Sequence, residues 1–318
     1  MFSIIGNGHW GSAIAAYLAK TYPVELIGRR KKTLPSEIVL PQKTSLAEAA
    51  YDHWIYAGPT QAATSILMPH LGDKSRPKTC IIASKGLIEN DTGNVMTLAD
   101  YLSTHIDRVA MLSGPSFANE LIDGKPTFLV GATKDVGLAN NMQEWFSNEP
   151  IQLSLSQDVT GVAFAGAFKN PIAILVGYLD CLFMSANMRF ALITYVNQVL
   201  STLLRTIGAD PATAYGVAGQ GDLCMTCSVD QSRNRQMGQL LAKGYSMDDA
   251  KKAIGSMVEG LSSLNYLKVF CDQNKIQVPL IALISDLVYG DLHQDKLLNR
   301  LISVMQSPAI RIQETLDT

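Results

Sequence analysis

The sequence predicts an α/β protein with two domains. Residues 1–157 read as a doubly wound parallel sheet, and residues 158–318 as an all-α domain. Three observations carry this. An apolar strand pattern at the very start runs into a glycine-rich turn and then an amphipathic helix. Strand and helix patterns alternate from there to residue 155. From Val159 onward the helical period persists and the strand signal all but disappears. At 318 residues, 47% of them hydrophobic, the chain can bury two cores of ordinary size.

The elements follow in order. Phe2 to Ile5 is the first strand, and Gly6-Asn7-Gly8-His9-Trp10-Gly11 follows it, ahead of the helical pattern Ala13, Ile14, Ala16, Tyr17, Leu18. In a strand–GxGxxG–helix unit the first glycine permits the tight turn. The second lets the backbone approach a pyrophosphate, and the third lets helix and strand pack closely while the helix N-terminus faces the anion. Dinucleotide binding is the expected use. Val24 to Ile27 is the second strand, and Gly28-Arg29-Arg30-Lys31-Lys32 follows it. An NAD-selective site places an acid there for the ribose 2′-hydroxyl. Four cations and no acid favour a 2′-phosphate, so NADPH is expected ahead of NADH.

After an irregular section with Pro35 and Pro41, Ser45–Ala50 reads as a helix, Trp54–Ala57 as a strand and Gln61–Met68 as a helix. Thr79–Ala83 is a strand that ends at Ser84-Lys85-Gly86-Leu87. Lys85 is therefore a candidate at the carboxyl end of a sheet strand, where open α/β sheets bind ligands. Val109–Leu112 is followed by Ser113-Gly114-Pro115-Ser116-Phe117-Ala118-Asn119-Glu120. Phe128–Gly131, a helix over Val136–Phe146 and a strand over Ile151–Leu155 complete the first domain. Helices are expected beyond it at 159–179, 187–207, 211–216, 231–243, 247–253, 259–274, 279–290 and 294–305.

The helix at 159–179 has the length of a membrane span and a single charge, Lys169 at its centre. It also holds Gly161, Gly166, Gly177, Asn170 and Pro171, and no basic anchors flank it. It reads as a buried helix carrying a functional ammonium, because an unpaired buried lysine is costly and burial lowers its pKa toward the range of proton transfer. Pro171 is expected to remove one helical hydrogen bond and to kink the helix. Gly216 to Arg235, GVAGQGDLCMTCSVDQSRNR, offers the carboxylate of Asp222 and guanidinium groups suited to a phosphate.

Net charge −2 and a pI of about 6.2 give no footing for a nucleic-acid or membrane-surface partner. Five cysteines, an odd and scattered set, indicate a reducing compartment, and MFSIIGNG lacks a signal-peptide pattern, so a cytoplasmic protein is expected. Cys224 and Cys227 form a CxxC with no second pair and no nearby histidine, and no metal site is expected.

Taken in order, GNGHWG, SKGL, SGPSFANEL, GAFKN, SANMRFALIT, GQGDLCMTCSVDQSRNRQMG and MVEG at 257–260 resemble the bacterial-type NAD(P)-dependent glycerol-3-phosphate dehydrogenases. The resemblance implies a Rossmann-like N-terminal domain, a helical C-terminal domain and an active site between them. It implies interconversion of dihydroxyacetone phosphate and glycerol 3-phosphate, in the supply of glycerophospholipid synthesis, by a homodimer using NADP or NAD. Matched motif by motif, Lys169 is the general acid/base, Lys85 holds the substrate and polarises its carbonyl, and Asp222 orients the lysines. Asn170 and Thr226 are polar contacts, and Ser232, Arg233 and Asn234 hold the phosphate, with Arg233 also near the cofactor. Gly114 and Ser116 line the substrate. Gly6, Gly8, His9, Trp10, Gly11, Arg29, Lys85, Ala118, Met257 and Glu259 fall at cofactor positions.

The chain departs from the family pattern in a shortened stretch after the second strand, in Asp180-Cys181-Leu182-Phe183-Met184, in Tyr195-Val196, in Pro171, and in His9 where serine is usual. Two alternatives stand beside this reading. One is a related two-domain dehydrogenase acting on another small phosphorylated ketone or hydroxy acid. The other is a dinucleotide-binding regulator without turnover, against which the joint presence of Lys85, Lys169 and Asp222 argues.

Overall fold

The computed structural model describes residues 1–31, 39–72, 77–183, 185–290 and 292–312. Lys32, Pro35 and Met184, named above, lie outside them. The chain divides into two compact units, Met1–Ile88 with Thr97–Ala163, and Glu89–Met96 with Phe164–Thr318.

The strands in chain order are β1 Phe2–Ile5, β2 Val24–Ile27, β3 Gln42–Lys43, β4 His53–Tyr56, β5 Thr79–Ile82, β6 Leu87–Glu89, β7 Val95–Thr97, β8 Val109–Ser113, β9 Thr127–Ala132 and β10 Ile151–Ser156. Eight of them form one sheet in the order β10-β9-β8-β5-β4-β1-β2-β3. The ladder is parallel from β3 through β8, then β9 pairs antiparallel with β8, and β10 runs parallel to β9. The order reverses at β1, so the chain winds outward in both directions from the strand that feeds the glycine turn. β1, β2 and β5 are buried at every position, as strands covered on both faces must be.

The helices of this unit are α1 His9–Leu18, α2 Ala63–Leu67, α3 Leu98–Ser103, α4 Ala118–Ile122 and α5 Val136–Phe146. Phe2, Ile4, Ile14, Leu18, Leu26, Ile55, Ile81, Leu138 and Phe146 make its core. The expected helix at Ser45–Ala50 is a single 3-10 turn, Leu46–Glu48, closed by the Ser45 hydroxyl accepting from Ala47 N–H. The expected helix at Gln61–Met68 is split into 3-10, α and 3-10 turns. The hairpin β6–β7 carries no sequence pattern long enough to announce it.

The second unit is helical: α6 Val159–Asp180, α7 Ala186–Thr206, α8 Asp222–Ser228, α9 Arg233–Ala242, α10 Met247–Ile254, α11 Glu259–Gln273, α12 Pro279–Tyr289 and α13 Gln294–Gln306. α6 begins in the first unit and continues into the second. The expected helix at 211–216 is a 3-10 helix, Pro211–Tyr215, and a π-helical turn, Val217–Gly221, leads from it into α8. A two-residue ladder, Ile276–Gln277 with Arg311–Ile312, adds strand to this unit, beside the parts of β6 and β7 that fall within Glu89–Met96.

α6 is long and apolar enough to cross a membrane, yet 89% of its apolar window is buried within the protein. Its side chains face neighbours on all sides, which is why it lacks the polar stripe of a surface helix. The helix runs on through Pro171. The ring leaves the Ala167 carbonyl without its i+4 donor, and the helix absorbs that loss inside a closely packed surround.

Candidate active site

In the first unit the site begins with backbone. Gly6 has φ +114°, and a Cβ there would lie 2.6 Å from Gly58 N. A Cβ on Gly11 would lie 1.9 Å from the Gly6 carbonyl oxygen. These two glycines therefore close the turn on itself and on the end of β4. Gly8 differs, for a Cβ there would meet nothing within 4 Å. Gly8 is also the N-cap of α1, with no side-chain cap and no acid in the first turn. The first-turn N–H groups thus have no side-chain cap, and the space beside Gly8 is open, an arrangement that suits a pyrophosphate. The residues present fit a dinucleotide.

Around this turn, His9 is exposed at the start of α1, and Trp10 leans partly on the core. Arg29 and Arg30 are exposed beyond β2, and the Asn7 amide donates to the Arg30 carbonyl. The carboxylate within β2, Glu25, is buried and committed: it accepts from Ser3 Oγ at 2.5 Å and Ala50 N–H at 2.7 Å and pairs with Lys43 at 2.6 Å. Ala118 opens α4 and packs on the core.

Beyond β5 and β8, three of the residues singled out by sequence meet at one atom. The Gly114 carbonyl accepts from Lys85 Nζ at 3.0 Å and from Ser116 Oγ at 3.1 Å. Gly114 has φ +134°, and a Cβ there would strike the Phe128 carbonyl oxygen at 2.8 Å, so only glycine holds that carbonyl in place.

In the second unit the site is made of side chains. Lys169, on α6 and 7% exposed, donates to Asp222 Oδ1 at 2.5 Å and to Thr226 Oγ1 at 2.7 Å. Thr226 Oγ1 in turn donates to the Asp222 carbonyl at 2.7 Å. Asp222 is fully buried in the first turn of α8, and Thr226 stands one turn later on the same face. The ammonium is thus held by a carboxylate and a hydroxyl from one helix.

Next to Lys169, Asn170 Oδ1 accepts from Asn234 Nδ2 at 3.0 Å, and Asn234 Oδ1 accepts from Gly260 N–H at 2.9 Å. Asn170 Nδ2 is buried with no hydrogen-bond partner among the described residues. Ser232 is the N-cap of α9, its hydroxyl accepting from Arg235 N–H at 3.3 Å, and Arg233 is exposed in the first turn. Met257 is 54% exposed and Glu259 opens α11.

Burial pushes the Cys227 thiol up to about 12, only partly opposed by Lys169, and raises Cys224 as well.

Sequence reasoning missed three residues here. Gly260 donates to Asn234, and a Cβ on it would lie 2.8 Å from the Asn170 carbonyl oxygen. Its place in MVEG was the available signal. Asp180 and Arg189 form an ion pair, and Asp180 also takes Arg235. The charges were visible in the sequence, but their pairing across helices was not.

Comparison with known proteins finds one family over both parts of the chain. Residues 158–299 match the family model for the C-terminus of NAD-dependent glycerol-3-phosphate dehydrogenase, and residues 31–139 match the model for its N-terminus. The chain is 31% identical to a glycerol-3-phosphate dehydrogenase [NAD(P)+] of Halorhodospira halophila, across 94% of this chain and 96% of that one. It is 37% identical to the enzyme of the same name from Thioalkalivibrio sulfidiphilus, across 81% and 83%. The crystal structure of glycerol-3-phosphate dehydrogenase from Coxiella burnetii superposes with a TM-score of 0.86 at 26% identity, covering 95% of this chain and 98% of that one.

Proposed function

Because the chain belongs to the NAD-dependent glycerol-3-phosphate dehydrogenase family, we propose that it reduces dihydroxyacetone phosphate to sn-glycerol 3-phosphate, reversibly, with NADH or NADPH. Ketone reduction needs a hydride at carbon and a proton at oxygen. When bound, the reduced nicotinamide supplies the hydride. Lys169 gives its proton to the carbonyl oxygen as the C–O double bond becomes an alcohol, and takes it back in the reverse direction. Asp222 and Thr226 hold the ammonium in one orientation, so no reorganisation is needed as alkoxide charge develops.

Lys85 polarises the carbonyl, beside Gly114 and Ser116. Asn170 contributes its unpartnered amide N–H to the substrate, and Ser232, Arg233 and Asn234 take the phosphate. Binding energy from that remote group orients the reacting carbon. Gly6, Gly8, Gly11, His9, Trp10, Arg29 and Ala118 serve the cofactor, as do Met257 and Glu259. Exposed Arg29 and Arg30, with Glu25 committed elsewhere, support a preference for NADPH.

The product feeds glycerophospholipid synthesis. Five free cysteines support a reducing, cytoplasmic setting, and a homodimer belongs to the same reading. The observation that carries the proposal is the buried Lys169–Asp222–Thr226 cluster. The test is oxidation of NADH and NADPH in parallel with dihydroxyacetone phosphate, followed at the nicotinamide absorbance. Turnover is expected with at least one cofactor. Turnover with neither, or only with an unphosphorylated hydroxy-acid or ketone substrate, would refute the assignment.

A further inference from the structure

We propose that Asp180 is a positioning residue for the substrate phosphate. It grips two arginines at once and thereby sets α9, which carries Ser232, Arg233 and Asn234, against α8, which carries Asp222 and Thr226. The inference rests on the reading that the first turn of α9 receives the phosphate.

Asp180 is the last residue of α6, and its side chain is 9% exposed. Its Oδ2 accepts from Arg235 Nε at 2.7 Å, and its Oδ1 accepts from Arg189 Nη2. Each arginine then uses a second branch. Arg189 Nη1 donates to the Cys227 carbonyl at 3.1 Å, in the last turn of α8. Arg235 Nη1 donates to Asp230, just ahead of α9. One carboxylate therefore joins the end of α6, the first turn of α7, the last turn of α8 and the first turn of α9.

The cluster holds two guanidinium groups and two carboxylates, so its formal charges cancel. Arg235 spends its charge inside it, with a side chain 12% exposed, while Arg233, two residues earlier, is exposed. The arginines of the QSRNR segment thus divide: Arg235 fixes the helix and Arg233 faces outward from it.

α6 acts as the common rod. A Cβ on Gly177 would lie 2.0 Å from the Arg235 carbonyl oxygen, and one on Gly238 would lie 1.9 Å from the Ile174 carbonyl oxygen. The two backbones therefore touch, and this contact fixes where α9 crosses α6. A crossing point leaves rotation about it undetermined, and the first turn of α9 is tied to α6 on two sides of it, by Asn234 to Asn170 and by Arg235 to Asp180. About 16 Å back along the same helix, by the rise of 1.5 Å per residue, Lys169 binds α8 through Asp222 and Thr226. α8 is thus held to α6 at both of its ends, once by Lys169 and once through Arg189.

The test compares wild type with D180N, R235K and R233A, using dihydroxyacetone phosphate and, separately, unphosphorylated dihydroxyacetone. R235K keeps the charge and loses the planar fork, so it decides the question if D180N does not fold. D180N and R235K are expected to raise KM for dihydroxyacetone phosphate about tenfold or more. Both should leave the Kd for NADH, and kcat/KM for dihydroxyacetone, at wild-type values. A purely structural role would lower Tm and depress both substrates alike, and that result would overturn the proposal. Wild-type KM in D180N and R235K, with KM raised in R233A, would overturn it too. An R233A variant with wild-type KM for dihydroxyacetone phosphate would instead remove the phosphate reading beneath it.

Discussion

At the Gly6–Gly11 turn the groups proposed to work are backbone N–H donors of a helix start with no side-chain cap. Around Lys169 they are side-chain termini drawn together from residues 53 and 57 positions apart. The first arrangement is local and steric. Gly6 and Gly11 leave no room for a Cβ, and Gly8 leaves room that a Cβ would fill. The second is long-range and electrostatic, a buried ammonium that is tolerable only while Asp222 and Thr226 stay in place. The contrast suggests a division of labour, with the turn binding an anion and the cluster handling a proton.

Predictions can break that division. The largest effect is expected for Lys169→Ala, whose kcat should fall about 100- to 10,000-fold, the usual reach of general acid–base catalysis. Steady-state rates at saturating substrate measure it, and a kcat within a few-fold of wild type would end the acid/base role. Asp222→Ala is expected to cost stability as well as rate, about 3–5 kcal/mol, because it strands a buried ammonium. Urea unfolding reads the change, and an unchanged midpoint would mean that Lys169 finds another partner. Gly8→Ala should fold normally, since its Cβ meets nothing, and should weaken cofactor binding about tenfold, or about 1.4 kcal/mol. Fluorescence titration with NADH checks this, and an unchanged Kd would show that the turn does not carry the pyrophosphate.

A further effect concerns pH and touches both units. Burial raises Cys80, in β5, and Cys227, in α8, from 9.0 to about 12. The folded state then holds protons that the unfolded chain releases. The stability they contribute is complete below pH 9 and is lost as pH rises from 9 toward 12. Tm should therefore decline above about pH 9, and a flat profile there would contradict the burial of these thiols.

The same contrast explains what could be read in advance. The first unit was legible because its signals are local: a strand, a glycine spacing and a helix all sit within the first 18 residues. The exceptions were equally local failures. β3 has two residues, and the Leu46–Glu48 turn has three, too few for a period to register. The antiparallel entry of β9 depends on how the chain returns after Gly114, which no spacing encodes. In the second unit, helix positions followed from periodicity, and Lys169 stood out as one charge in an apolar run. Its partners did not, since nothing local ties residue 169 to 222 or 226, and the family resemblance alone connected them. Pro171 was expected to cost one hydrogen bond and kink its helix, and it lies within a continuous one, where packing on all sides outweighs the lost hydrogen bond. Gly177, Gly238 and Gly260 read as unremarkable residues until the opposing backbones were in view.

The most direct test crosses the two regions in one experiment, measuring the Kd for NADH and kcat at saturating cofactor for Lys169→Ala and Gly8→Ala side by side. The account predicts that the variants separate. Lys169→Ala should lose kcat with Kd unchanged, and Gly8→Ala should lose affinity with kcat retained. If both variants move both quantities together, binding and proton transfer are not divided between the glycine turn and the lysine cluster, and the account is wrong.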